Sequence, residues 1–216
     1  MTLVDQIFRS PHLPQILQEL NSLWEKEQAD RRAFYEQISE NDKAEFINGQ
    51  PVFHSPVKRK HSSALDFLQT LLSVYVRING LGRIYVEKLM IELTRNSFEP
   101  DLCFFTTNRD AQFNEEQMLF PAPDFIIEIL SRKTEKYDRG VKFEDYEAHG
   151  IKEYWIVDPT HKTIEQYLLK NKRYELAVKS TDGYIESKVI KGFKMPIRAG
   201  FYERKNLKAL QEILKP

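Results

Sequence analysis

The chain has 216 residues, 41% hydrophobic and 30% charged, enough to bury a full core as one domain and too apolar for a disordered segment. Lysine plus arginine and aspartate plus glutamate both number 32, so no global positive field draws a polyanion, and any nucleic-acid contact must come from a local patch. Cys103 is the only cysteine, which excludes an intrachain disulfide and a cysteine-rich zinc site and leaves oxygen as the main ligand for any metal. No apolar run approaches the roughly 18 residues of a membrane span and no leader pattern opens the chain, so the expectation is a cytoplasmic protein.

From Pro11 to about Ser39, Ile16, Leu17, Leu20, Leu23 and Trp24 recur at helical spacing, which predicts an amphipathic helix with a break near Asp30. It reads as a cap, an assembly element, or a helix closing one side of the core. Asn48-Gly49 between short apolar runs predicts a hairpin. Leu65, Leu68, Leu71, Leu72 and Val76 then mark a buried helix ending near Gly80. Period two returns in "RIYVEKLMIELT" and "EPDLCFFT", read as adjacent strands, and a polar loop follows from Asn108 to about Phe120. "PDFIIEIL" is a strand, "DRGVKFEDYEAHG" a short helix with Asp138 near its N-cap, and "EYWIVDP", "TIEQYLLK" and "RYELAVKS" are three more strands before a C-terminal helix. The order predicts an α/β or α+β fold, a single sheet with helices packed against it.

Two acids interrupt the apolar strand "PDFIIEIL". In a strand, Asp124, Ile126 and Glu128 share one face, while Phe125, Ile127 and Ile129 share the other. A half-exposed edge strand accounts for the acids as well as a working site does. A simple hairpin pairing brings Asp101, which opens the preceding strand, close to both. Three carboxylates at one end of a sheet suit Mg²⁺, with Mn²⁺ as a substitute, and metal-assisted hydrolysis of a phosphodiester. Lys142 follows Glu128 by 14 residues, in a stripe with Asp138 and Tyr146. Taken alone it is as well explained as a solvated helix charge.

"EPDLCFF", "APDFIIEILS", "YDRGVKFEDYEAHGIKEYWIVDP" and the upstream "KAEFINGQPVFHSPVKRKH" resemble, in order and spacing, the Uma-two family of restriction endonuclease-like proteins within the PD-(D/E)XK nuclease superfamily. The resemblance spans roughly residues 42 to 200. It implies a restriction-endonuclease-like mixed sheet flanked by helices, spanning 41–216 behind an N-terminal helical extension of residues 1–40, and Mg²⁺-dependent cleavage of DNA. On it, Asp101 matches the motif aspartate and Glu128 the acid of the (D/E)XK element, with Asp124 an additional acid at the metal. Leu130 stands where that element carries its lysine, so Lys142 resembles a relocated lysine. Glu45 matches a glutamate often carried in the first helix or strand.

For DNA contact, Lys58, Arg59, Lys60 and His61 form the densest basic run, and Arg132 and Lys133, with Lys136 and Arg139, follow the acidic strand. Solvated turns account for these charges too. The expected activity is a metal-dependent DNA endonuclease, acting as a homodimer because two related sites cut a duplex most simply. The alternative is a catalytically inactive nuclease fold that serves as a DNA-binding or assembly module. Three carboxylates in a cleft repel phosphate unless a cation intervenes, which favours the first.

Overall fold

The computed structural model describes residues 1–39 and 41–215; Glu40, where the expected edge of the extension falls, and Pro216 lie outside the described residues. A Thr2–Asp5 capping box starts α1 (Leu3–Phe8). Helix α2 (Leu13–Gln37) runs unbroken through Asp30, contrary to the expected break. Asp30 lies four residues after Lys26 and pairs with it at 2.6 Å, and no glycine or proline interrupts the turn. Its last turns dock on the body, where the Arg31 guanidinium donates to the Leu93 and Asn96 carbonyls and to Ser97 Oγ at 2.7–3.0 Å.

Strands β1 (Ala44–Ile47) and β2 (Gln50–Phe53) form the expected hairpin, with Asn48 and Gly49 both left-handed as a tight primed turn requires. After α3 (Arg59–Ile78), the period-two stretch divides at Glu87 and Lys88 into β3 (Gly82–Val86) and β4 (Met90–Glu92). Next come β5 (Ser97–Phe98), β6 (Leu102–Thr106), α4 (Thr107–Asp110) and β7 (Leu119–Phe120). Thus α4 and β7 lie in or beside the stretch read as a loop. The remaining elements are β8 (Phe125–Ile129), α5 (Glu135–Asp138), α6 (Val141–Ala148), β9 (Glu153–Asp158), β10 (Thr163–Lys170), β11 (Arg173–Ser180), β12 (Tyr184–Glu186), β13 (Lys194–Pro196) and α7 (Glu203–Ile213). Asp138 closes α5 rather than capping the following helix.

The strands make a six-stranded mixed sheet, β11-β10-β9-β8-β6-β3, a five-stranded sheet, β2-β1-β5-β4-β7, and a β12–β13 ribbon, rather than one sheet. Strands β8 and β9 are parallel, which is why a helical crossover, α5 and α6, joins them. One face of the large sheet, with Leu102, Phe104, Phe125, Ile127 and Trp155, packs on α3. The other, with Cys103, Phe105, Ile126, Tyr154 and Ile156, meets Ile47, Ile91 and Phe98 of the small sheet and Tyr146 of α6. Ala44 and Phe46, on the far face of β1, pack against Phe34 of α2. Glu45 alternates with them and points inward, to where the sheets meet α6.

Gly82 opens β3 at φ +145, and a Cβ there collides with the Phe105 carbonyl oxygen of the neighbouring strand. Gly82→Ala is expected to cost about 3 kcal/mol or more, because backbone locked in a ladder yields little. A lowered urea midpoint at unchanged slope checks this.

Candidate metal centre

Strands β6 and β8 pair antiparallel, with Leu102 opposite Ile127 and Phe104 opposite Phe125. One step further along this register, Asp101 stands opposite Glu128. The Ile129 amide donates to Asp101 Oδ2 at 2.8 Å and fixes the carboxylate there. Asp124 sits about 13 Å along β8 from Glu128, since a strand rises about 3.3 Å per residue. There it takes Lys152 Nζ at 2.9 Å, Arg109 Nη1 at 3.3 Å and the Thr106 amide at 3.2 Å. This corrects the expectation of one shell holding Asp101, Asp124 and Glu128. A shared face is not a shared end: β6 meets Glu128 with Asp101 and Asp124 with Thr106, at its opposite ends. Burial pushes the Asp124 carboxyl up, but Lys152, the Thr106 amide and Arg109 together hold it below its ordinary value.

Lys142, only 2% exposed, projects from α6 into the other end of the strand. Its Nζ lies 2.8 Å from Glu45 Oε1, 3.0 Å from Glu128 Oε1 and 3.4 Å from Asp138 Oδ1. One turn on, the Tyr146 hydroxyl donates to Glu128 Oε1 at 2.8 Å. Glu45 also accepts the Glu99 amide at 3.0 Å, and His54 Nε2 lies 3.0 Å from its second oxygen. Beside Asp101, Lys43 Nζ bridges Glu87 Oε1 at 2.8 Å and Asp101 Oδ1 at 3.2 Å, and His61 Nε2 is 3.4 Å from Asp101 Oδ1.

Around the Lys43 and Lys142 ammoniums the carboxylates are in surplus: Glu87 and Asp101 beside the first, Glu45, Glu128 and Asp138 beside the second, with Glu99 next to Glu45. The carboxyl groups respond to the surplus. Burial drives the Asp138 carboxyl well above its ordinary value, and Glu128, Asp101 and Glu45 add to it despite Lys142. Burial raises Glu128 too, and Lys142 offsets it only in part. Glu99 is pushed up to about 7 by burial, with the Glu45 charge beside it. Asp101 is the exception, since His61 and Lys43 more than overcome its burial and hold it far below the carboxylate range. Burial disfavours the Lys142 charge, yet the acids around it raise its pKa well above the ordinary value.

Several buried atoms around the site, Asp138 Oδ1, Glu45 Oε2 and both ring nitrogens of His61, make no aligned hydrogen bond among the described residues, although Lys142, His54 and Asp101 stand 3.0–3.4 Å from three of them. Surplus buried negative charge with spare lone pairs on oxygen and imidazole is the donor set that a divalent cation satisfies. The residues therefore fit a metal.

Residues 31–198 match the Uma2 family, described as putative restriction endonuclease. The chain belongs to the Uma2 family. Uncharacterized protein slr1290 of Synechocystis sp. strain PCC 6803 is 30% identical to it over 132 residues, which span 59% of this chain and 67% of that protein. A crystal structure of a putative nuclease belonging to DUF820 from Anabaena variabilis shares the fold, with a TM-score of 0.68 at 20% identity over 82% of this chain and 96% of that one. The Uma2 chain is thus nuclease-like in family and in fold, and no helix among its described residues is long and apolar enough to cross a membrane.

In this Uma2 protein Glu99, Asp101, Glu128 and Asp138 form the floor of a cleft of about 770 Å³. Lys58, Lys60, Arg132, Lys133 and Lys136 line its walls, from the start of α3 on one side and the segment after β8 on the other. Lys133 Nζ reaches Ser55 Oγ across the mouth at 2.8 Å. Arg59 faces elsewhere, lining a separate pocket with Ser63 and Lys162. Arg139 is also removed from the rim, since its guanidinium grips both Glu165 oxygens at 2.9 Å. Sequence reading missed Lys43, Glu87 and Glu99, and counted His61 with the basic run. All four reach the site from irregular backbone, a bend or a helix start, none of which carries a periodic signal. His61 is findable only through its distance in space from Asp101, 40 residues on.

Proposed function

We propose that this Uma2 protein is a metal-dependent endonuclease that hydrolyses phosphodiester bonds in DNA, with Asp101 and Glu128 holding Mg²⁺ or Mn²⁺. The observation that carries this reading is the buried ammonium of Lys142 among carboxylates, at the floor of a basic-walled cleft. When bound, the ion supplies a water of lowered pKa and offsets charge on the scissile phosphate.

The chain's own residues supply the rest. Lys142 stays protonated at neutral pH, so it acts as a fixed positive charge and not as a base. With Tyr146 it holds one Glu128 oxygen and orients that carboxylate. As water oxygen bonds to phosphorus and the bond to one sugar oxygen breaks, the ammonium lies beneath the developing charge. Glu45 anchors Lys142 from the small sheet. Lys58, Lys60, Arg132 and Lys133 meet the phosphate backbone along the walls, where the chain's neutral balance is locally broken. Asp124 is structural, tying Arg109 and Lys152 to β8. Residues 1–40 extend a nuclease domain of 41–216, and two copies together cut both strands.

The test is plasmid cleavage by the full chain with Mg²⁺ or Mn²⁺. Nicked and linear products that disappear on chelation are expected. Intact plasmid with both ions, together with calorimetric titrations showing no ion binding, overturns the reading and leaves a binding module.

A further inference from the structure

We propose that the cleft holds a second cation position, built from His61, Glu87 and Asp101, that takes a divalent transition ion such as Mn²⁺ in preference to Mg²⁺ or Ca²⁺. It rests on the nuclease reading in sharing Asp101 with the centre described above. One ligand atom from each of the three residues lies within 4.8 Å of the others. The acids alone do not make the site; the imidazole does. His61 is 5% exposed, and neither ring nitrogen makes an aligned hydrogen bond among the described residues, its Nε2 standing 3.4 Å from Asp101 Oδ1. The ring lines the cleft, and a metal bond to one nitrogen removes part of the cost of leaving a buried imidazole without an aligned partner.

A cation already stands at this place. Lys43 Nζ lies 2.8 Å from Glu87 Oε1 and 3.2 Å from Asp101 Oδ1, so its ammonium holds the two carboxylates apart at a spacing set by positive charge. The Lys43 side chain is partly exposed and able to swing toward solvent when an ion of higher charge takes its place. The three ligands are held by separate rigid pieces. His61 lies in the first turn of α3, and the Ile129 amide fixes Asp101. Glu87 sits in a turn where it and Lys88 are both left-handed, and its amide is tied to the Asp101 carbonyl at 3.1 Å.

The ligand types set the preference. Mg²⁺ demands a near-octahedral shell of oxygens and gives up water reluctantly, and Ca²⁺ also takes oxygen. An imidazole nitrogen beside two carboxylates favours transition ions, among which Mn²⁺ still accepts carboxylate readily. The Asp101–Glu128 pair offers only oxygen, so the two positions differ in the ion they hold best.

The experiment binds Mn²⁺ to the full chain, reads ligand nitrogen by pulsed electron paramagnetic resonance, and measures affinities for Mn²⁺ and Mg²⁺ by calorimetry. Wild type is expected to show nitrogen coupling from one imidazole. His61→Ala should abolish it and weaken Mn²⁺ binding at least about tenfold, since losing even an outer-shell partner costs that much. Mg²⁺ binding should change little. Lys43→Met removes the competing ammonium and should tighten Mn²⁺ more than Mg²⁺; this variant keeps the test decisive if His61→Ala does not fold. Glu128→Gln should retain the nitrogen coupling. Mn²⁺ bound to wild type without nitrogen coupling, or affinity unmoved by Lys43→Met, overturns the second position and leaves the nuclease reading standing. A chain that binds neither ion overturns both.

Discussion

Lys142→Ala is expected to destabilise the folded chain by about 3–5 kcal/mol at neutral pH, the loss typical of removing one partner from a buried ion pair. Lys142 is the counter-charge for Glu45, Glu128 and Asp138, all buried, and its removal leaves their charges facing one another. Asp138 and Glu128 already titrate above their ordinary values with the lysine present, and without it they rise further. The folded variant then binds more protons than its unfolded chain at every pH between the ordinary carboxylate values and the raised ones. Stability therefore falls as pH rises through that window. The deficit should be smaller at about pH 3, where carboxylates in both states are mostly protonated, than at about pH 7. Urea melts of Lys142→Ala and of the better-filling Lys142→Met at both pH values check the sign. A deficit that is the same at both pH values, and disappears in the methionine variant, assigns the role of Lys142 to packing instead.

The strand that carries Glu128 was legible because its alternation is strict. Phe125, Ile127 and Ile129 enter one core cluster, and Ile126 the other, on the face it shares with Glu128. The Asn48-Gly49 hairpin was legible for a local reason, two left-handed residues in succession. Lys142 was found through the resemblance, since nothing in a helix stripe distinguishes a buried lysine from a solvated one. What escaped was set by long-range pairing. Strands of two or three residues, such as β5 and β7, leave no period, so the second sheet was invisible. The register of β6 on β8, which parts Asp124 from Asp101, is a tertiary choice that the alternation of either strand leaves open. Lys43, His61 and Glu87 meet at Asp101 from segments far apart in the chain, and only the folded structure brings them together.

Glu128→Gln and Asp124→Asn, two equally small changes on one face of one strand, are expected to have opposite consequences. The glutamine keeps an oxygen for Lys142 and Tyr146 to hold, but it offers a metal a neutral and poorer ligand. Mg²⁺ titration should weaken, and metal-dependent cleavage should fall by roughly 10² to 10³, the loss typical of one group that stabilises charge in the transition state. Asp124→Asn keeps an acceptor for the Thr106 amide but no longer neutralises Arg109 and Lys152. It should cost about 1–2 kcal/mol of stability, the scale of a charged hydrogen bond weakened rather than removed, with ion binding unchanged. Cleavage by Asp124→Asn should stay within a few-fold of wild type, because about 13 Å of strand separates it from Glu128. Melting curves, calorimetry and plasmid cleavage on the two variants separate these effects. Cleavage lost as completely in Asp124→Asn as in Glu128→Gln, with its melting curve unmoved, places the metal at the other end of β8 and makes Lys152 and Arg109, not Lys142, the cations beside it.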